Sequence, residues 1–188
     1  MKWDILRNNA FGKQGLKESC VTSIEFAVVV FCSFYVGKLL IPNQETLSLI
    51  SGLWCAISAI VVLHDNRKAT LHAAIIRGLG SLIGAVISGL FLSYFVASFW
   101  LLIPMIIITA FLCSLFKFEE GLRLALITVT VVFAVSLVSP DVSGYENAIY
   151  RFIESLIGIA FALSARWFTL KFILKRFRFS FLKNRVFK

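Results

Sequence analysis

Long uninterrupted apolar runs make up most of the chain, and its polar residues are collected in short segments between them. The runs lack the spacing of apolar positions three and four residues apart that marks a surface helix of a soluble protein. Each run reaches the length of about 18 residues that a helix needs to cross a hydrocarbon core roughly 30 Å thick. The pattern predicts six membrane-spanning helices, at residues 19–41, 46–63, 71–95, 99–116, 121–138 and 146–170.

The composition agrees with this pattern. Hydrophobic residues make up 59% of the 188 residues and charged residues 15%, whereas a soluble domain is about half apolar and a quarter charged. Because the connections between the runs are short, residues 1–188 are expected to form a single six-span membrane domain. The first run is too long for a signal peptide and lacks a small-residue cleavage site. The predicted fold class is an all-α membrane protein.

The distribution of charge predicts how the helices are oriented. The net charge is +9, and the basic residues lie in alternate connections and in the tail at residues 171–188. Lys38 is the one basic residue in the segments on the other side. Since cytoplasmic loops carry an excess of Lys and Arg, both termini are predicted to be cytoplasmic. The tail is interpreted as an anchor for this topology, with binding of anionic lipid headgroups as the alternative.

Two stretches of the chain are similar to each other. "AAIIRGLGSLIGAVISGLF" begins at Ala73 and "NAIYRFIESLIGIAFAL" begins at Asn147, so that Arg77 and Arg151 align and both are followed by SLIG. The offset is about the length of three spans, and a unit with an odd number of spans returns in the opposite orientation. We therefore predict two inverted three-helix repeats, a recurrent plan of transporters. Chance similarity among Leu, Ile and Gly is the alternative.

Small residues predict where helices approach each other closely. Gly80 and Gly84 lie one turn apart in the third span, and Gly158 matches Gly84 in the sixth. In lipid, packing replaces the hydrophobic driving force, and small residues permit it. A serine-rich face of the second span, which includes Ser51 and Ser58, is likewise interpreted as packing rather than pore lining.

The two matching arginines are the candidate substrate-binding residues. Arg77 and Arg151 lie about six residues inside their spans, which is about 9 Å of depth. A charge at that depth is costly and usually faces a bundle interior or a wet cavity. Glu154 follows Arg151 by three residues, a spacing that permits an ion pair on a helix. Gly80 stands at the matching position after Arg77, so Arg77 lacks such a partner.

Glu25 is expected at about the same depth as Arg77, because the first and third spans enter from the same side. Two alternatives stay open for it. Glu25 pairs structurally with Arg77, or it carries a proton while Arg77 holds an anion. Arg166, near the inner end of the sixth span, is expected to extend its side chain to the membrane surface.

The sequence predicts no catalytic or metal site. Cys20, Cys32, Cys55 and Cys113 show no CxxC spacing, and the two histidines are too few for a metal centre. Since no pairing of a nucleophile with a base is apparent, neither an enzyme nor a bound cofactor is expected.

With these residues identified, a family resemblance becomes apparent. The segment "GLWCAISAIVVLHDNRKATLHAAIIRGLGSLIGA" resembles the fusaric acid resistance family and the related aromatic acid exporters. The later "RFIESLIGIAFAL" resembles the last span of that family's six-helix unit. The connection after the second span departs from the family, with His64-Asp65 where relatives often have Gln-Pro. The match rests on Trp54, Ala56, Ile57, Ser58, Ala69, Thr70, Leu71, Arg77, Gly80, Ser81 and Gly84.

The resemblance covers about residues 20–170 and implies an exporter of aromatic carboxylates or related organic anions, driven by the proton gradient, in a bacterial inner membrane. Arg77 and Arg151 would attract the carboxylate, while Trp54 either stacks on a substrate ring or simply packs. Plant aluminium-activated malate channels look like distant relatives, so a passive anion channel is an alternative. A non-transporting assembly subunit is another, because the sequence shows no counterpart of the cytosolic domain of many members.

The expected partners follow from this interpretation. They are a small organic anion, membrane lipids and a second copy of the chain, since symmetric dimers are the commonest assemblies. No nucleic acid is expected, because the basic residues are placed as a membrane protein requires.

Overall fold

The computed structural model describes residues 13–42, 44–169 and 171, and this part of the chain is helical, with no β-strand. The predicted tail at residues 171–188 lies outside the described residues except for Lys171. The described helices are α1 Lys13–Lys38, α2 Glu45–Val62, α3 Arg67–Tyr94, α4 Phe99–Leu115, α5 Glu119–Val138 and α6 Gly144–Phe168.

The helices form at the six predicted spans, which confirms the all-α membrane fold. Five of them are long and apolar enough to cross a membrane. The remaining helix, α4, is apolar throughout but has 17 residues, a length of about 26 Å. Large apolar side chains are exposed on the outside of the bundle, as at Phe31, Leu90 and Phe111, and this is the surface that lipid tails would cover.

α3 and α6 form the centre of the bundle. They pack against each other, α2 packs on α6, and α5 packs on α3. α1 and α4 lie further out, on α2 and α5 respectively. Each contact therefore has a counterpart when the first three helices are exchanged with the last three.

One hydrogen bond joins the two similar stretches at matching positions. The Ser81 hydroxyl donates to the Ser155 hydroxyl at 3.1 Å, and these residues are 74 positions apart, as Arg77 and Arg151 are. Contact between a residue and its own counterpart is the arrangement expected near a two-fold axis. The inverted repeat itself stays a prediction.

The starts of α3 and α6 are also alike. The Asn66 side chain accepts a hydrogen bond from the Lys68 backbone N–H at 3.1 Å, and the Ser143 side chain accepts one from Glu146 N–H at 3.2 Å. Such caps satisfy backbone donors that have no partner within the helix. They set where each central helix begins, and hence the depth of its arginine.

Glycines allow the closest helix contacts. A Cβ added at Gly84 would lie 2.6 Å from the Ala125 carbonyl oxygen and 2.7 Å from Thr128 Cβ, both on α5. A Cβ at Gly158 would lie 2.7 Å from Ser58 Cβ on α2. Gly84 thus allows α5 to pack closely on α3, and Gly158 allows α2 to pack closely on α6. Buried polar residues lie on both central helices.

Candidate functional site

A cluster of buried polar side chains lies where α2, α3 and α6 meet, and we call it the central polar cluster. On α2 and α3 its members are three, four or seven residues apart, and on α6 two members follow Arg151 by three and four residues, so regular helices bring them together. They are Ser51, Trp54 and Ser58 of α2, Arg77 and Ser81 of α3, and Arg151, Glu154 and Ser155 of α6, all buried.

Arg77 is fully buried and is held by neutral groups. Its Nε and Nη2 atoms donate to the Ser58 hydroxyl at 3.3 and 2.9 Å. Its Cζ atom lies 4.8 Å from the centre of the Trp54 ring, within the range of a cation–π contact. Within the part of the chain that the structure describes, no carboxylate oxygen lies within 4.0 Å of its guanidinium. The site therefore contains a buried positive charge without a neighbouring acid.

Arg151 is equally buried but carries its own counter-charge. Its Nη1 atom lies 2.7 Å from a Glu154 carboxylate oxygen, one turn along the same helix, and neither side chain is more than 1% exposed. Arg151 Nη2 donates to the Ser51 hydroxyl at 3.4 Å. This half of the cluster is consequently neutral overall.

Trp54 connects the two arginines. Its indole N–H is shared between the Arg151 carbonyl oxygen at 3.0 Å and the Ser155 hydroxyl at 3.1 Å. The ring is 4% exposed, and the Arg77 guanidinium lies against it. Of the two interpretations given for Trp54, this arrangement agrees with packing.

The predicted pairing of Glu25 with Arg77 is wrong. A Glu25 carboxylate oxygen lies 3.2 Å from Arg166 Nη1 instead. α1 packs on α2 and α6, and depth alone says nothing about which helix lies beside another. Glu25 therefore has a different partner from the predicted one, and its role as a proton carrier stays a prediction.

The expectation that Arg166 extends to the membrane surface stays a prediction: its side chain is 3% exposed, yet it reaches Asp65, whose side chain is 91% exposed. Arg166 Nε donates to the His64 carbonyl oxygen at 2.6 Å, and Arg166 Nη2 lies 3.5 Å from Asp65. Together with Glu25, these bonds tie α1 and the α2–α3 connection to the end of α6.

Two serines of α2 contact the arginines, whereas the sequence pattern predicted only helix packing for them. Ser58 is the hydrogen-bond acceptor for Arg77, and Ser51 is one for Arg151. Their common face on α2 was visible in the sequence, but a stripe of small polar residues serves packing and binding equally well. What they contact distinguishes the two, and this depends on which helix lies opposite.

In the described ranges, no three metal-binding side chains come together, and the four cysteines are free thiols. The chemistry that this site offers is thus electrostatic, with a buried guanidinium and several hydroxyl groups.

Comparisons with known proteins agree with this picture. A model of the fusaric acid resistance protein-like family matches residues 33–165. The chain is 30% identical over 115 residues to the inner membrane protein YccS of Escherichia coli (strain K12). This match covers 61% of the chain and 16% of the relative, so the chain spans a small part of that protein. No solved structure matches.

Proposed function

This chain belongs to the fusaric acid resistance protein-like family, and from that premise we propose that it is a membrane transporter that exports small organic anions. Aromatic carboxylates are the proposed substrate class. The membrane is the inner membrane of a bacterium, which is where the name of the E. coli relative places that protein. Both termini are proposed to be cytoplasmic, and the working form to be a homodimer.

The observation that carries this proposal is the unpaired charge of Arg77. Placing a cation in a low-dielectric interior is costly unless a counter-charge lies beside it. Ser58 and Trp54 offset part of that cost but carry no negative charge. A carboxylate that reaches Arg77 would supply the counter-charge, and its binding would be favourable for that reason.

Access to Arg77 requires helix movement, because the residue is fully buried in this structure. α2 and α3 contact each other less extensively than either contacts α6. Separation of α2 from α3 would break the bond between Ser58 and Arg77 and expose the guanidinium. We therefore propose that the substrate anion enters between these two helices and replaces Ser58 as the partner of Arg77.

Coupling of export to protons would depend on a buried carboxylate. A proton-driven mechanism needs a carboxylate near the anion that changes its protonation state, and Glu25 is engaged by Arg166 instead. Glu154 is the other buried candidate, and it is paired with Arg151.

The pairing of Glu25 favours a passive anion pathway as the second candidate function. An inside-negative potential drives an anion outward with about 2.3 kcal/mol per charge per 100 mV, so export needs no proton.

Anion flux in liposomes tests the proposal. The purified chain should release preloaded benzoate, and Arg77→Gln should abolish the release while the protein stays folded. Arg77→Lys should retain part of the flux, because it keeps the charge but loses the planar fork of the guanidinium. Arg123→Gln is the matched control, since Arg123 is exposed, and it should behave as the wild type.

Three results would redirect the proposal. Unchanged flux from Arg77→Gln would overturn the anion site. Flux that responds to membrane potential but not to a pH gradient would select the passive pathway. Absence of flux for every carboxylate tested would favour a non-transporting assembly subunit.

A further inference from the structure

A pocket of about 570 Å³ opens at the end of the bundle where α3 begins and α6 ends. Its wall is largely apolar, and Arg67 lies in its exposed part, at the first residue of α3. Charge bias predicts that this end of the bundle faces the cytoplasm. The pocket is lined by Arg67, Leu71, Leu163, Arg166, Trp167 and Phe168, with Thr70 and Ser164.

The apolar part of the pocket continues the surface that meets lipid tails. Leu71 is 51% exposed and Phe168 55% exposed, both on the outside of the bundle. Trp167 belongs to the last turn of α6, where aromatic rings lie at the level of lipid headgroups. A ligand that fits this pocket is therefore apolar at one end and reaches the headgroup region at the other.

The polar part of the pocket is basic, with Arg67 and Arg166 in its lining. Two further cations lie outside the lining: Lys68 follows Arg67 in the first turn of α3, and the Lys171 ammonium lies 4.4 Å from the centre of the Trp167 ring. In the described part of the chain, no carboxylate lies within 4.0 Å of Arg67. Arg166 adds a charge that Glu25 and Asp65 already neutralise, so Arg67 is the cation that a ligand would meet.

A second groove has a similar volume but no basic residue in its lining. It encloses about 500 Å³ between α1 and α2 and is lined by six apolar residues, among them Phe26, Phe31 and Ile60. Nothing in its lining distinguishes one lipid from another. The pocket at Arg67 differs by its charge.

We propose that the pocket between α3 and α6 binds an acidic phospholipid. Its phosphate lies at Arg67, and its acyl chain lies along Leu71 and Phe168. Basic pockets between membrane helices on the cytoplasmic side have this chemistry, and each Lys or Arg near the surface strengthens the attraction several-fold. The proposal is independent of anion export, since it concerns a different arginine and a ligand that stays in the membrane.

Retention of added lipid by the purified chain, measured by native mass spectrometry, tests this. The chain should retain phosphatidylglycerol in preference to phosphatidylcholine, and Arg67→Gln should reduce that preference about fivefold. Arg67→Lys should preserve most of it, because the positive charge remains. Lys68→Gln is the matched control: it removes the same charge one residue away, at a side chain that does not line the pocket.

Three outcomes would overturn the proposal. Equal loss from Arg67→Gln and Lys68→Gln would indicate diffuse attraction to the surface. Equal retention of the two lipids by the wild type would show that charge is not recognised. Displacement of the phospholipid by millimolar benzoate or inorganic phosphate would assign the pocket to a soluble anion. Loss of flux in Arg77→Gln with lipid preference intact would separate this site from the transport site.

Discussion

Arg77 and Arg151 stand at matching positions of two similar helices, yet the structure gives them different electrostatic surroundings. Both are fully buried and hydrogen-bonded to serines of α2. Arg151 has Glu154 at 2.7 Å, whereas Arg77 has the Trp54 ring and no acid in the described residues. The same residue type is thus paired with a carboxylate in one half and is an uncompensated cation in the other.

A packing difference explains why no acid follows Arg77 by one turn, as Glu154 follows Arg151. Glu154 corresponds to Gly80, and a Cβ at Gly80 would lie 3.0 Å from Leu124 Cβ and 3.1 Å from the Gly121 carbonyl oxygen, both on α5. A glutamate at residue 80 would therefore have to displace α5. Close helix packing in the first half occupies the space that the second half uses for a counter-charge.

The two halves are predicted to have opposite orientations in the membrane, and a labelling experiment with an all-or-none result tests this prediction. Asn66 caps α3 and Ser143 caps α6. In a background without native cysteines, Ser143→Cys should react with an impermeant thiol reagent from outside and Asn66→Cys should not. Both should react after the membrane is opened. Reaction of both positions from the same side of intact cells would contradict the inverted repeat.

The next largest effect is expected from the same substitution at the two arginines. Arg151→Gln should lower the free energy of unfolding by about 3 kcal/mol, because it leaves the buried Glu154 carboxylate without its cation. Arg77→Gln should cost about 1 kcal/mol or less, since the lost contacts to Ser58 and Trp54 are offset by removal of an uncompensated charge. Thermal unfolding in mild detergent measures both.

The double variant Arg151→Gln/Glu154→Gln is the control for this pair. It removes both charges and should recover part of the stability that Arg151→Gln loses. Equal losses of unfolding free energy from Arg77→Gln and Arg151→Gln would show that the surroundings of the two arginines are energetically alike. That result would contradict the proposed difference between them.

A smaller loss of stability is expected at Gly84 and Gly158, where the two halves have similar close helix contacts. Gly84→Ala and Gly158→Ala should each cost about 1–3 kcal/mol, because the added methyl group meets the neighbouring helix at less than 3.0 Å. Gly78→Ala is the matched control on α3. Its Cβ would meet one atom, Ile159 Cδ1, at 3.7 Å, and it should be neutral or stabilising. The readout is again thermal unfolding. Tolerance of alanine at Gly84 or Gly158 would mean that the helices there adjust freely.

The helices themselves were predictable because a bilayer imposes a length and a composition on every span. The observed helix ends lie within four residues of the predicted ones, apart from the start of α1 at Lys13. The depth of Arg77 and Arg151 in the membrane stays a prediction, and both side chains are buried inside the bundle.

Lateral arrangement was not predictable in the same way. Nothing in a single sequence tells which helices are neighbours, and so Glu25 was paired with the arginine at its depth rather than with Arg166, on the helix beside it. The same limitation hid Ser58. Ser58 on α2 contacts Arg77 on α3, and the two residues are 19 positions apart in the chain.

The ion pair between Glu25 and Arg166 has a consequence for biogenesis. Glu25 enters the membrane with the first described helix, whereas Arg166 is synthesised 141 residues later. At about 5–20 residues per second, the interval between the two is roughly 7–28 s. Throughout that interval, the Glu25 carboxylate has no Arg166 to bind. The contact that ties α1 to the end of α6 can therefore form only after α6 has been synthesised, whereas α1 can pack on α2 long before then.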